Sequence, residues 1–149
     1  MRTRIRNFFE LNENVKSGAQ PTPEDLEDLS GQGCRAVLNL RAPGEEGELA
    51  DERERVEALG MRYDRVPVTQ RILTPESVEA FGKAVAEGEK PLFVHCGAGN
   101  RCSAMWLLHR VLNEGAPRER ALEEARTMGL DPSVERPVLA LLDEFGKNK

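Results

Sequence analysis

The sequence predicts an α/β fold: a single domain spanning 1–149, with a mostly parallel central sheet flanked by helices on both faces. Three observations predict it. Strand-like and helix-like segments alternate from Thr22 to Gly115, the pattern of strands joined by crossover helices. Two helix starts carry the same punctuation, Thr22-Pro23-Glu24 and Thr74-Pro75-Glu76: an N-cap, a proline at the first helical position and an acid in the first turn. Two short runs, Ala36–Leu40 and Leu92–Val94, are apolar enough to read as buried strands.

The elements follow in order. Residues 7–17 mix apolar and polar positions and are expected to form one or two short edge strands. Ser17 to Pro21 reads as a turn. The first helix runs from Pro23 with Leu26 and Leu29 inward, and Gly31 or Gly33 stops it. After the strand at 36–40, Pro43, Gly44 and Gly47 make Arg41–Leu49 a loop. A charged helix over Ala50–Leu59 closes at Gly60. Met61–Val66 reads as a strand, and Pro67–Leu73 as a loop. The next helix turns Val78, Phe81, Ala84 and Val85 inward and ends at Gly88. Residues 91–114 form a strand–loop–helix unit. Two closing helices within 117–145 have no strand between them and are expected to pack outside the sheet. The residues after Phe145 are expected to fray.

Composition narrows the function classes. Of 149 residues, 39% are hydrophobic and 32% charged, which fits a folded, soluble chain rather than a disordered one. A net charge of −5 without a basic cluster gives no reason to expect nucleic-acid binding. No stretch reaches the ~18–20 apolar residues of a membrane span. The N-terminal arginines precede no apolar segment, so no secretory signal is expected. Three cysteines favour a reducing cytoplasm over a disulfide scaffold. Two histidines, His95 and His109, give a metal site little material, and no cofactor is expected.

The chemistry concentrates at Pro91–Ser103. The run Leu92-Phe93-Val94 leads into His95 and Cys96. Gly97, Ala98, Gly99 and Asn100 then form a turn small enough to let backbone approach a ligand, and a helix begins near Arg101. Backbone N–H groups and a helix dipole converge where such a turn meets a helix. Arg101 adds a planar fork of donors for an oxyanion. A cysteine at that mouth is expected to be a thiolate at neutral pH, making Cys96 a candidate nucleophile and residues 97–101 a candidate anion cradle.

The segment Val-His-Cys, a glycine turn, Arg and a helix resembles the signature of the protein tyrosine and dual-specificity phosphatases. Its four-residue gap between Cys96 and Arg101, one shorter than the common form, resembles the bacterial DUF442 branch. Two further segments extend the resemblance over about 8–114: Gly18–Leu26 and Val37-Leu38-Asn39-Leu40-Arg41. The resemblance implies a phosphatase acting through a phosphocysteine intermediate on a phosphorylated protein or small phosphate ester. It also implies a supporting role for His95 and a place in the pocket for Arg41. The family places Ser or Thr directly after the Arg to hydrogen-bond the cysteine sulfur. Here Cys102 intervenes, leaving Ser103 as the candidate for that bond and Cys102 as core or as a resolving thiol. The family's general acid is an Asp near the fourth strand, and the loop at 67–73 holds no carboxylate. Glu45 and Glu46 are the candidates, with Asp64 behind them.

Two other readings stay open. The short loop equals that of rhodanese-type sulfurtransferases, in which Cys96 would carry a sulfane sulfur. A loop without an acid would also serve a non-catalytic module that holds a phosphorylated ligand.

Overall fold

The computed structural model describes residues 1–69 and 73–147. Five strands form one sheet in the order β1-β2-β5-β3-β4. They are β1 (Phe9–Glu10), β2 (Val15–Gly18), β3 (Ala36–Asn39), β4 (Arg62–Arg65) and β5 (Leu92–His95). Among the described residues only the β1–β2 pairing is antiparallel. Six helices among the described residues complete the fold: α1 (Pro23–Gly31), α2 (Glu52–Ala58), α3 (Pro75–Glu87), α4 (Asn100–Leu112), α5 (Arg118–Thr127) and α6 (Pro132–Gly146).

The sheet separates two apolar clusters. One packs Leu26, Leu29 and Val56 from α1 and α2 against Val37 and Phe93. The other packs α3, α4, α5 and α6 against Leu38, Leu92 and Val94. Successive residues of a strand point to opposite faces, so a strand covered on both sides must be apolar throughout. That is why Leu92-Phe93-Val94 lies at the centre. α4 is enclosed in the same way: Cys102 through His109 are all buried. Burial of its Met105, Leu107 and Leu108 contributes about 1.5–3 kcal/mol each.

Both Thr–Pro helix starts are capping boxes. Thr22 Oγ1 accepts from Asp25 N and Thr74 Oγ1 from Ser77 N, and each N3 side chain returns a bond to the cap. Boundaries move by a residue or two, with α4 beginning at Asn100.

The segment at 7–17 is expected to form one or two edge strands, and of the two strands it forms only β1 lies at the edge of the sheet. β2 pairs in parallel with β5, and all four of its residues are buried. Its lysine is accommodated because Lys16 Nζ turns back to donate to the carbonyls of Asn12 (2.6 Å) and Glu13 (2.9 Å).

Gly18, Asn39 and Arg65 lie in register with His95 at one sheet edge. The next residues of three parallel strands therefore emerge together: Ala19-Gln20, Leu40-Arg41 and Cys96-Gly97. In open α/β sheets this carboxyl edge is where ligands bind.

Candidate active site

Cys96 directly follows β5 and is 1% exposed. The backbone N–H of Gly99 donates to its sulfur at 3.0 Å, and those of Arg101 and Cys102 also point at it. The neighbouring Cys102 thiol, whose Sγ also lies 3.8 Å from Val94 O and 4.0 Å from Gly18 O, is the largest influence on Cys96. Burial opposes it, yet the Cys96 thiol is held down at about 5. Its partner moves the opposite way: donation to Cys96 and complete burial push the Cys102 thiol well above the ordinary range. The pair is thus a thiolate and a protonated thiol.

Cys102 is therefore the side chain beside the Cys96 sulfur, and Ser103 is not. Ser103 Oγ donates instead to Asn100 O at 2.9 Å. The reason is helical geometry: one residue is about 100° of rotation, so only the first of the two side chains faces the loop.

Gly99 caps α4 with φ +108°, a conformation open to glycine at no steric cost. Gly97 is needed for space. A Cβ there would lie 3.2 Å from an Arg101 terminal nitrogen and 3.6 Å from Arg41 Cζ, so two guanidinium groups meet over this residue. Ala98 and Asn100 complete the loop.

Arg41 is 6% exposed. It bonds Glu45 Oε1 through Nε (2.9 Å), Gln20 Oε1 (3.0 Å) and the Gly47 and Glu46 carbonyls. Arg101 donates to Val68 O at 3.0 Å and grips Glu45 with both terminal nitrogens, at 2.8 and 2.5 Å. Ala42 N adds a bond to the same carboxylate at 3.1 Å.

Glu45 is thus at the site but is not poised as an acid. The Arg101 hydrogen bonds, outweighing burial, hold its carboxyl at about 2, so it has no proton to give at neutral pH. Glu46 is exposed and reaches the site only through its carbonyl. Asp64 accepts from Arg62 Nε at 2.8 Å, and Arg62 in turn bonds Glu87 O at the end of α3, away from the loop. The expectation of a loop at 67–73 falls partly on residues 70–72, which lie outside the described residues.

Three residues that sequence reasoning missed hold the loop from behind. Asn7 Nδ2 donates to Ala98 O at 2.7 Å, and Asn7 keeps φ +54° to do so. Gln20 N donates to Gly97 O at 3.1 Å. Glu52, 2% exposed, sits 2.6 Å from His95 Nε2, and Gln20 Nε2 donates to its other oxygen at 2.7 Å. His95 Nδ1 faces Cys96 O at 3.2 Å. The signal for Glu52 was present: it stands four residues before Val56, the buried apolar residue of α2, and so shares its inward face. His109 lies apart, on α4 between the rings of Phe81 and Trp106.

The chain is similar to known proteins on three counts. The family described as "Beta-lactamase hydrolase-like protein, phosphatase-like domain" matches residues 7–113. A beta-lactamase hydrolase-like protein of Agrobacterium fabrum is 32% identical over 124 residues, 81% of this chain and 29% of that protein. The chain therefore spans under a third of that relative. A DUF442 protein of Shewanella putrefaciens CN-32, provisionally assigned as a phosphatase, superposes with TM-score 0.81 at 26% identity, over 97% of this chain and 91% of that one. TpbA of P. aeruginosa in complex with pTyr shares the fold, with TM-score 0.72 at 17% identity over 93% and 87% of the two chains.

Proposed function

Since the chain belongs to the phosphatase-like domain family of beta-lactamase hydrolase-like proteins, we propose that it is a cysteine-dependent phosphatase of the tyrosine or dual-specificity type. The observation that carries this is the Cys96 sulfur, held at about 5 where three backbone N–H groups converge. At neutral pH the nucleophile is already ionised, so no base is required to activate it.

In the proposed reaction the Cys96 thiolate attacks phosphorus in line. The S–P bond forms as the P–O bond to the leaving group breaks. Loop amides and Arg101 stabilise the equatorial oxygens. Water then attacks phosphorus and returns phosphate, while the Cys102 thiol hydrogen-bonds the departing Cys96 sulfur. Arg101 is the group that must change partner, because its fork donors are engaged by Glu45. The substrate phosphate takes those donors from the carboxylate.

In the unliganded chain Glu45 is ionised and holds no proton for the leaving oxygen, and residues 67–73 contain no carboxylate. General acid catalysis contributes ~100- to 10,000-fold. An enzyme without it favours leaving groups that depart as stable anions. We therefore place aryl phosphates, phosphotyrosine among them, as the preferred class, and the pTyr bound to TpbA fits that choice. Three free cysteines, all buried, suit a reducing compartment such as the cytoplasm. No described helix is long and apolar enough to cross a membrane.

The experiment is turnover of 4-nitrophenyl phosphate by the chain and by Cys96→Ser. Loss of turnover in the variant is the expected result, and equal turnover overturns the reading.

One observation favours a second reading. Only four residues separate Cys96 from Arg101, giving a tight cradle suited to a sulfurtransferase that carries sulfane sulfur on Cys96. Incubation with thiosulfate and intact mass decides it: a gain of one sulfur on Cys96 supports sulfur transfer, and an unchanged mass removes it.

A further inference from the structure

His95 is 0% exposed, so each polar atom of its ring must find its partner within the protein. Both ring nitrogens face acceptors: Glu52 Oε2 at 2.6 Å and the Cys96 carbonyl at 3.2 Å. A neutral imidazole has one N–H donor and one bare acceptor nitrogen. It would set that bare nitrogen against an oxygen lone pair inside the core. A proton on each nitrogen satisfies both neighbours, and an adjacent anion stabilises that form where water is excluded; a proton kept on Glu52 would leave Nε2 bare, and the ring-nitrogen spectrum separates the two. Glu52 is that anion. Its second oxygen is fixed by Gln20 Nε2 at 2.7 Å, while Gln20 Oε1 accepts from Arg41 and Gln20 N donates to Gly97 O.

We infer that Glu52 is a positioning residue for the thiol chemistry: it keeps His95 as a double donor whose positive charge lies directly behind Cys96, and through Gln20 it ties that charge to Arg41 and the loop. Glu52 touches neither the sulfur nor the anion cradle. It acts through His95, which is bonded to the peptide carrying the nucleophile.

The charged and titratable groups around this pair come from several elements. Arg101 and Cys102 on α4 face Cys96, Arg101 and Arg41 meet over Gly97, and Glu45 after β3 bonds both arginines. Glu52 on α2 faces His95. The flank of that ring is apolar, stacked on Phe93 at 5.9 Å between centroids. Glu52 is thus the one carboxylate bonded to His95 among the described residues, and its removal isolates the effect.

This inference rests on Cys96 being the reactive thiol, and its test needs no phosphate ester. Cys96 ionisation is read from the pH dependence of iodoacetamide capture, quantified on the Cys96 peptide by mass spectrometry. Protonation of the His95 ring is read by nitrogen-15 NMR of histidine-labelled protein, with His109→Gln assigning the second histidine. In the unaltered chain both His95 ring nitrogens carry protons at pH 7. In Glu52→Gln the capture midpoint rises by about one pH unit, with far-ultraviolet circular dichroism unchanged, and Glu52→Asp recovers part of that rise. One bare ring nitrogen in the unaltered chain at pH 7, or an unmoved midpoint in folded Glu52→Gln, overturns the inference. Should Glu52→Gln fail to fold, the NMR result on the unaltered chain decides alone. Failure of the phosphatase reading registers separately, in the Cys96→Ser turnover experiment.

Discussion

Replacing Glu45 by Gln keeps the shape of the side chain and removes the charge that two arginines share. The carboxylate takes two bonds from Arg101, one from Arg41 and one from Ala42 N. Its fall from 4.5 to about 2 corresponds to roughly 3 kcal/mol at about 1.4 kcal/mol per pH unit. That figure is an upper bound, because the side chain is 24% exposed and solvent screens such pairs. We expect a loss of about 1–2 kcal/mol at pH 7. The sign with pH follows from linkage: a carboxyl lowered on folding contributes stability above its unfolded value and loses it as pH falls through the folded one. The penalty of Glu45→Gln should hold from pH 7 to about 5, then shrink between 4.5 and 2 as the unaltered chain becomes protonated. Urea unfolding of both proteins at pH 7, 5 and 3 measures it. A penalty that is the same at all three values would refute the ionic account of this pair.

Three further outcomes are expected. Gly99→Ala forces a side chain into φ +108° and should cost about 1–3 kcal/mol, with a matching drop in aryl phosphate turnover; unfolding and steady-state assays together check it. Cys102→Ala removes the thiol donor and should raise the midpoint of Cys96 alkylation by about one pH unit, whereas Cys102→Ser, which keeps a donor, should move it less. In Glu45→Gln, vanadate should bind about 3- to 10-fold tighter, equivalent to about 1 kcal/mol, because the anion no longer displaces a carboxylate from Arg101; isothermal titration checks this, and weaker binding would assign Glu45 to holding Arg101 in place instead.

What the sequence disclosed tracks how local each signal was. The two Thr–Pro helix starts are capping boxes because a cap, a proline and its N3 partner lie within four residues. The strand–loop–helix unit at 91–114 is contiguous, so Cys96, Gly99 and Arg101 were legible together. β2 was mistaken for an edge because Lys16 and Ser17 are polar, and nothing local tells that Lys16 Nζ folds back onto carbonyls. Glu45 reads from the sequence as a candidate acid near the site, and the grip of Arg101 on its carboxylate is not legible there because the two stand 56 residues apart. Glu52 stands 43 residues from His95, and only the assembled sheet brings them together. The rotation of a single helical residue turns Cys102, and not Ser103, toward the Cys96 sulfur.

The sheet order has a consequence for how this protein fails. β5 has a parallel neighbour on each side, so the strand that carries the sulfur cannot detach without dismantling the whole molecule. Its amide protons should exchange with deuterium only through global opening. The turn carrying Glu45 belongs to no helix or strand and can open while the rest stays shut. Heat or denaturant should therefore silence the thiol and melt the fold in one transition, while the gripped arginine is released earlier, by motions too small for either to register.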